Sequence, residues 1–295
     1  MPKNKNKRIK FGISSGILRK PIEKLFEMAG YNFKINEMFS TVYIDDPKIE
    51  CFFARAKEIT LLIERGILDA GIVSRAAIAD TKTKVTEIYN LGTLDPTWEK
   101  TRLVLAVPEK SSIKSLKDLK GKKIITRVPT ITEKFLKKNK ISAIIEFSDV
   151  SNESRVPEFA DAVVEFTNTG TTLESFGLKI LAVLMQDSLL VVANPKSLQN
   201  KWKKEKIENL GMLFKGVRLA REMVGLMLHA SNNMMEDVLK TLPALKRPTV
   251  THLRGENWFD VFTVAKKSKI RELIPKLKKI GCTDIIEIPL NKVII

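Results

Sequence analysis

Residues 9–30 have the sequence IKFGISSGILRKPIEKLFEMAG, which joins a short apolar strand to an amphipathic helix through a loop of small residues. The strand is predicted at 9–13. In the helix that follows, apolar side chains recur every three or four positions, and Gly30 ends it. A strand that leads directly into a helix is typical of folds in which helices cover parallel strands. This stretch therefore predicts an α/β fold.

The same alternation of strand and helix continues to about residue 221. Further strands are predicted at 67–73, 102–107, 123–126, 143–147, 161–167, 178–185 and 187–194. Further helices are predicted at 59–63, 115–120, 130–138 and from Pro195 to about Arg221. We expect mostly parallel sheets that are covered by helices.

The last part of the chain has a different order of elements. Strands are predicted at 224–230, 248–253, 258–265 and 285–288, with helices at 234–242 and 270–280. The order βαββαβ is that of a ferredoxin-like domain. We therefore predict a domain boundary near Glu222 and a ferredoxin-like domain at 223–295.

The composition indicates a cytoplasmic protein. Apolar residues make up 44% of the 295 residues, which is enough for two or three packed domains. The sequence has no apolar run long enough to cross a bilayer and no apolar segment of a signal peptide behind its basic start. Cys51 and Cys282 are far apart and are predicted to be reduced. With only His229 and His252 as histidines, we predict no protein metal site built on several histidines.

The formal net charge of +17 is open to three interpretations. A basic surface can bind nucleic acid, attract polyanionic small substrates, or serve only as a solvated lysine-rich exterior. The lysines are spread along the whole chain, which favours the solvated exterior. We therefore predict neither a nucleic-acid partner nor a membrane partner.

The segment with the clearest chemistry is 160–173, ADAVVEFTNTGTTL. Asp161 and Glu165 bracket an apolar strand, and a loop of hydroxyl side chains around Gly170 follows it. Such a loop can turn backbone N–H groups and hydroxyls toward one phosphate, and upstream carboxylates can accept hydrogen bonds from ribose hydroxyls. The segment is consistent with a ribose-5-phosphate site. The alternative is an ordinary helix N-cap, for which threonine and glycine are also common.

The same residues resemble the signature for phosphoribosyl pyrophosphate (PRPP) in the ATP phosphoribosyltransferases. The likeness extends to 55–59 (RAKEI), 66–72 (GILDAGI) and the TRL stretch at 101–103. Near the C-terminus, 243–250 (PALKRPTV) and 276–281 are similar to the regulatory domain that distinguishes the long form of the family. The order and spacing of these segments cover nearly the whole chain.

This resemblance implies a two-lobed, periplasmic-binding-protein-like catalytic part at 1–222, followed by a regulatory domain. Lobe I would comprise about 1–95 and 186–222, and lobe II about 96–185. The site would lie in the cleft between the lobes. A homo-oligomer, either a dimer or a hexamer, is also implied.

The resemblance also implies the reaction. Adenine N1 of ATP attacks the anomeric carbon of PRPP, and pyrophosphate leaves with Mg²⁺ neutralising its charge, in the first step of histidine biosynthesis. The implied PRPP phosphate ligands are Thr169, Gly170, Thr171 and Thr172, and the implied catalytic residues are Asp161 and Glu165. Gly16, Arg55 and Arg102 would bind the nucleotide, although a surface ion pair is the alternative for each arginine. Leu245 and Thr249 would lie near histidine bound as an inhibitor.

The chain departs from the family pattern near the implied nucleotide site. Ser15-Gly16-Ile17-Leu18 stands where the family has Lys-Gly-Arg-Leu, and Ser74-Arg75-Ala76 stands where the family has a glycine followed two positions later by an acidic residue. Cations that could compensate are Arg19, Arg75, Arg127 and Arg155. A second hypothesis is therefore a non-catalytic relative that binds PRPP and has lost the ATP site. A two-lobed solute-binding protein is a third.

Overall fold

The computed structural model describes residues 7–15, 18–36, 41–93, 101–150, 152–243, 247–255 and 257–295. The chain divides into two compact units, 1–212 and 213–295. Across these described ranges, no helix has the length and apolar character needed to cross a membrane.

The first unit begins with a five-stranded sheet and its helices. In chain order the elements are β1 (Ile9–Ser14), α1 (Arg19–Ala29), β2 (Phe33–Asn36), β3 (Thr41–Ile44), β4 (Ile49–Ala54), α2 (Ala56–Glu64), β5 (Ala70–Ser74), α3 (Arg75–Thr81) and β6 (Thr86–Gly92). Strands β2 and β3 form a separate antiparallel pair. The others join a later strand, β12 (Leu189–Ala193), in the order β4-β1-β5-β12-β6. Only β12 runs against the other four strands of this sheet.

The middle of the chain forms a second five-stranded sheet. Its elements are β7 (Arg102–Pro108), β8 (Lys123–Thr126), α4 (Pro129–Lys138), β9 (Ile144–Phe147), β10 (Ala162–Thr167), α5 (Thr171–Ser175) and β11 (Leu178–Gln186). The strand order is β11-β7-β10-β8-β9, and only β7 runs against the others. The chain thus crosses between the sheets twice, and the reversed strand of each sheet is the first strand after a crossing. The predicted two-lobed α/β architecture is confirmed.

The long helix α6 (Lys201–Arg221) leads into the second unit. That unit contains β13 (Met223–Ser231), α7 (Met235–Thr241), β14 (Thr249–His252), β15 (Trp258–Lys266), α8 (Lys267–Ile280) and β16 (Thr283–Pro289). The strand order β14-β15-β13-β16 is antiparallel throughout. One face of this sheet and the two helices share an apolar core, so the predicted ferredoxin-like arrangement is confirmed.

Several local predictions differ from the structure. The helix predicted at 115–120 is a single 3₁₀ turn, Leu116–Leu119. The strand predicted at 67–73 begins only at Ala70, and Ile67 is exposed in the preceding turn. The periodicity also missed α3 and the strands β2, β3, β4 and β6. Strands β4 and β6 are mostly half-buried, whereas predicted strands of similar length, such as β8 and β12, are nearly continuous buried apolar runs. Helix α3 has seven residues, too few repeats for a helical period to be recognised.

Two glycines let α2 lie directly on the first sheet. A Cβ atom on Gly12 would lie 2.6 Å from Cγ2 of Ile59, and one on Gly71 would lie 2.7 Å from the Gly12 carbonyl oxygen. Side chains at these positions would therefore push α2 outward. The close approach places the first turn of α2 at the edge where β1, β4 and β5 end.

The opposite edge of this sheet is tied to α6 by Asp69. This buried carboxylate accepts hydrogen bonds from Lys10 N (2.9 Å), Ser197 Oγ (2.6 Å) and Lys203 Nζ (2.6 Å). Burial acts to raise the pKa of Asp69, but the hydrogen bonds from Lys203, Ser197 and Lys10 outweigh it and the pKa is lowered. The ionised carboxylate therefore stabilises the folded state.

We predict that Asp69→Asn lowers the free energy of unfolding at pH 7 by about 1–3 kcal/mol, because a neutral amide cannot replace the charge-assisted bonds. The folded pKa lies below the unfolded value, so the stabilisation is complete above pH 3.8 and is lost as the pH falls through the folded pKa. Urea unfolding at pH 7 and near pH 3 measures the difference, with Glu208→Gln in an exposed ion pair as the control. A loss of unfolding free energy in Asp69→Asn that is as large near pH 3 as at pH 7 would contradict this account.

Candidate active site

The loop after β10 lies at the carboxyl edge of the second sheet. Gly170 has φ +100°, a left-handed conformation that glycine adopts without strain. Its N–H donates to Thr167 Oγ1 at 2.9 Å, which closes the turn. The hydroxyl groups of Thr169 and Thr171 are 2.9 Å apart, and both residues and Thr172 are exposed. The N-cap of α5 is Gly170, which has no side chain to cap the helix, and Thr169 Oγ1 accepts the Thr171 N–H at 3.4 Å.

Arg102 lies beside this loop. It starts β7 and pairs with Thr167 across the antiparallel ladder. Its Nη2 donates to the Asn168 carbonyl at 3.4 Å, and the neighbouring Thr101 hydroxyl donates to Asn168 Oδ1 at 2.8 Å. The structure thus brings a cation to the predicted phosphate loop, where it favours an anionic ligand.

Glu165 is buried near the same edge, with its side chain 4% exposed. Arg127 follows β8, which is parallel to β10, and its Nη2 lies 3.1 Å from Glu165 Oε2. The other carboxylate oxygen accepts the Phe166 N–H at 3.0 Å. Burial raises the pKa of Glu165, and the charge of Arg127 opposes this increase. Arg127 therefore helps to keep the carboxylate ionised.

Asp161 lies at the opposite end of β10. It accepts hydrogen bonds from Lys123 N (2.9 Å) and Lys122 Nζ (3.2 Å), where β8 begins. The hydrogen bond from Lys123 is the largest cause of its lowered pKa, against a smaller opposing effect of burial. A strand of six residues spans about 20 Å, so the structure does not bring Asp161 to the loop. This corrects the expectation that two carboxylates lie together there.

The first sheet contributes cations from α2 to the same region. Lys57 Nζ forms an ion pair with Asp80 of α3 at 2.6 Å and also donates to the Arg127 carbonyl. Asp80 is buried and accepts the Ile131 N–H of α4 at 3.1 Å. Arg55 forms an ion pair with Asp149, which follows β9. These contacts tie the carboxyl edges of the two sheets together.

Further hydrogen bonds lie where the chain returns from the second sheet to the first. Asp187 N donates to the Thr101 carbonyl at 2.7 Å, so the two crossing segments meet. The Asp187 carboxylate accepts the N–H groups of Ala76 and Ser188, both at 2.9 Å. Burial raises the pKa of Asp187, and these hydrogen bonds act in the opposite direction.

Comparisons with known proteins agree with this architecture. The sequence model of the ATP phosphoribosyltransferase family matches residues 55–216, and the model of its C-terminal domain matches 220–292. The chain belongs to the ATP phosphoribosyltransferase family. Both matches together identify the long form, which carries the additional C-terminal domain.

Individual relatives cover nearly the whole chain. The ATP phosphoribosyltransferase of Pelotomaculum thermopropionicum is 35% identical over 287 residues, which is 97% of this chain and 99% of the relative. That of Solibacter usitatus is 37% identical with the same coverage. Among solved structures, an ATP phosphoribosyl transferase (HisG:HisZ) complex from Thermotoga maritima has a TM-score of 0.59 at 23% identity. It covers 70% of this chain and 98% of that chain, and it supports the fold.

Four arginines could compensate for the cations of the family's Lys-Gly-Arg pattern, and they differ in the groups that they contact. Arg19 faces Glu23 at 3.5 Å, Arg75 faces Glu87 at 3.1 Å, and Arg155 donates to Ser148 at 3.1 Å. Arg127 contacts a predicted site residue, Glu165.

Some predicted residues do not join this cluster. Gly16 and Leu245 lie outside the described residues. Thr249 is exposed on β14 and pairs with Phe262. The described residues include no group of three or more His, Cys, Asp or Glu side chains that could hold a metal ion.

Sequence reasoning missed Lys57 and Asp80. Lys57 lies within the quoted segment 55–59, but nothing in the sequence indicated a partner 23 positions later. Asp80 sits in a short alanine-rich helix that showed no recognisable period.

We predict that Lys57→Met lowers the free energy of unfolding by about 2–3 kcal/mol, because Asp80 would remain buried without its counter-charge. Partial exposure of Lys57 keeps the expected value below that of a fully buried pair. Lys137→Met removes an exposed helical ion pair of similar length and should cost less than about 0.5 kcal/mol. Equal effects of the two substitutions in urea unfolding would argue against the role of Asp80.

Proposed function

We propose that this chain is an active ATP phosphoribosyltransferase. It transfers the phosphoribosyl group of PRPP to N1 of ATP, yields phosphoribosyl-ATP and pyrophosphate, and so catalyses the first step of histidine biosynthesis. The observation that carries the proposal is the meeting of the threonine loop, Arg102 and the buried Glu165 at one sheet edge, in a chain of this family.

The loop and Arg102 bind the 5-phosphate of PRPP. The exposed hydroxyls of Thr169, Thr171 and Thr172 donate to phosphate oxygens, and the backbone of Gly170 leaves room for them to approach. Arg102 adds a positive charge next to the loop. Support comes from the left-handed conformation of Gly170 (φ +100°), where an added Cβ would contact Ile180 Cδ1 at 3.7 Å and Glu174 Oε1 at 3.8 Å.

Glu165 acts on the ribose. As a carboxylate it accepts hydrogen bonds from ribose hydroxyls and stabilises the positive charge that develops on the ring as the bond to pyrophosphate breaks. Adenine N1 then forms the new bond at the anomeric carbon. Catalysis rests on positioning and electrostatics, without a covalent enzyme intermediate. Asp161 instead has a structural role, because it joins the start of β8 to β10.

Mg²⁺ is part of the proposal as a companion of the substrates. This ion is commonly held by substrate phosphates with one or two carboxylates, so a cluster of protein ligands is not required. When bound, it neutralises charge on the departing pyrophosphate.

We also propose limits for the lobes and the regulatory domain, and roles for the other binding residues. Lobe I comprises about 1–95 and 186–222, lobe II about 96–185, and the regulatory domain 223–295. The two five-stranded sheets and the antiparallel four-stranded sheet support this division. Arg55 and Gly16 bind the nucleotide, and Leu245 and Thr249 lie near histidine as inhibitor. A homo-oligomer, dimer or hexamer, is proposed on family membership.

We predict that incubation with ATP, PRPP and Mg²⁺ produces phosphoribosyl-ATP, which is detected by its absorbance. Added pyrophosphatase should increase the yield because it removes the other product. The absence of product with pyrophosphatase present would refute the proposed function. Calorimetry with each substrate alone then shows whether ATP binding has been lost while PRPP binding remains.

We predict that Gly170→Val lowers kcat/KM for PRPP by about 100-fold or more, because a β-branched residue distorts the left-handed loop that presents the phosphate donors. Gly177→Val is the matched control. Gly177 also has positive φ (+65°) and open space for a side chain, but it lies beyond α5. Both variants should lose similar thermal stability, and only Gly170→Val should lose PRPP affinity. Equal kinetics in the two variants would contradict the phosphate loop.

A further inference from the structure

We propose that Arg127 is a positioning residue for the transfer reaction. It keeps the Glu165 carboxylate charged and fixes its orientation, and Lys57 of helix α2 holds the backbone carbonyl of Arg127. This inference rests on the proposed function, which gives Glu165 its place at the ribose. The family segments identified in the sequence do not include Arg127.

The contact is a single charge-assisted hydrogen bond. Arg127 Nη2 reaches Glu165 Oε2 at 3.1 Å, and the Phe166 N–H occupies the other oxygen at 3.0 Å. Each carboxylate oxygen has two lone pairs, so both oxygens can still accept a ribose hydroxyl. Arg127 therefore orients the carboxylate without using up its capacity for hydrogen bonds.

The surroundings of Glu165 make a nearby cation necessary. Its partner across β7 is the apolar Val104, and its side chain is almost entirely buried. Burial raises the pKa of Glu165 most, Glu153 raises it further, and Arg127 lowers it. Without Arg127, burial and Glu153 would both favour the protonated acid, which cannot stabilise positive charge on the ribose.

Lys57 holds the backbone of Arg127. Lys57 Nζ donates to the Arg127 carbonyl, and the Asp80 carboxylate of the Lys57–Asp80 pair accepts the Ile131 N–H. The guanidinium of Arg127 donates from Nη2 to Glu165 Oε2 at 3.1 Å. The main chain of Arg127 is therefore fixed by Lys57 while its side chain is directed at Glu165.

The test compares Arg127→Met with Arg127→Lys across pH. Loss of the cation raises the pKa of Glu165, so the acid limb of the kcat/KM profile for PRPP should move upward by about 1–3 pH units. In the pH range where kcat/KM of the wild type is constant, kcat/KM of Arg127→Met should be lower by roughly 10-fold or more, and it should recover as the pH rises. Arg127→Lys keeps the charge and should restore most of the wild-type profile.

Lys137→Met is the control, since Lys137 lies in the same unit and forms an exposed ion pair with Glu133. Its acid limb should keep the wild-type position. An Arg127→Met variant whose kcat/KM falls by the same factor at every pH, or does not fall, would overturn the proposal.

An infrared titration tests the ionisation without requiring activity. As the pH is lowered, the carbonyl stretch of a protonated carboxylic acid should appear at a higher pH in Arg127→Met than in the wild type, and this difference should vanish in the Arg127→Met/Glu165→Gln double variant. The same onset in the wild type and in folded Arg127→Met, as judged by circular dichroism, would refute the claim. An inactive wild-type protein would refute the proposed function but not the role of Arg127, because the infrared measurement does not depend on activity. Arg127→Gln serves as the second variant if Arg127→Met does not fold.

Discussion

The burial of Asp80 between the two sheets of the first unit is the constraint on which the candidate site depends. A carboxylate removed from water needs a counter-charge and hydrogen-bond donors. Lys57 comes from one sheet's helix and the Ile131 N–H from the other's, so satisfying Asp80 joins their carboxyl edges. The same lysine reaches the Arg127 carbonyl, and Arg127 reaches Glu165. One buried charge thus leads, contact by contact, to the residue proposed to act on the ribose.

The topology explains why these groups can meet. Each sheet has four strands in one direction, and the loops after β4, β8, β9 and β10 all leave from carboxyl edges. The reversed strands β7 and β12 each follow a crossing between the sheets, and β7 brings Arg102 to the threonine loop. Binding groups in folds of this kind commonly collect at such edges, because the connecting loops converge there.

Sequence patterns predicted the long helices and the buried strands well and the partly exposed strands poorly. Repeats or a continuous apolar run marked the helices α1, α4, α6 and α8 and the buried strands β1, β7, β8 and β10. Helix α3 was missed because seven residues show too few repeats, and strand β4 was missed because Glu50 interrupts its apolar residues, most of which are only half-buried. The site was predicted in part. The threonine loop and Glu165 lie at one edge, whereas Asp161, only four positions from Glu165, lies at the other end of the strand, because an extended chain separates near neighbours in sequence by long distances.

The sequence by itself determined the α/β class, the ferredoxin-like domain and the family, since these depend on local periodicity and on motifs that are contiguous along the chain. The tertiary structure alone decided the partners of the charged groups. Arg127 is 38 positions from Glu165, and Lys57 is 70 positions from the carbonyl it binds. Such pairs form only when separate strands end at the same edge and when burial makes an unpaired charge costly. No local pattern of residues indicates either condition.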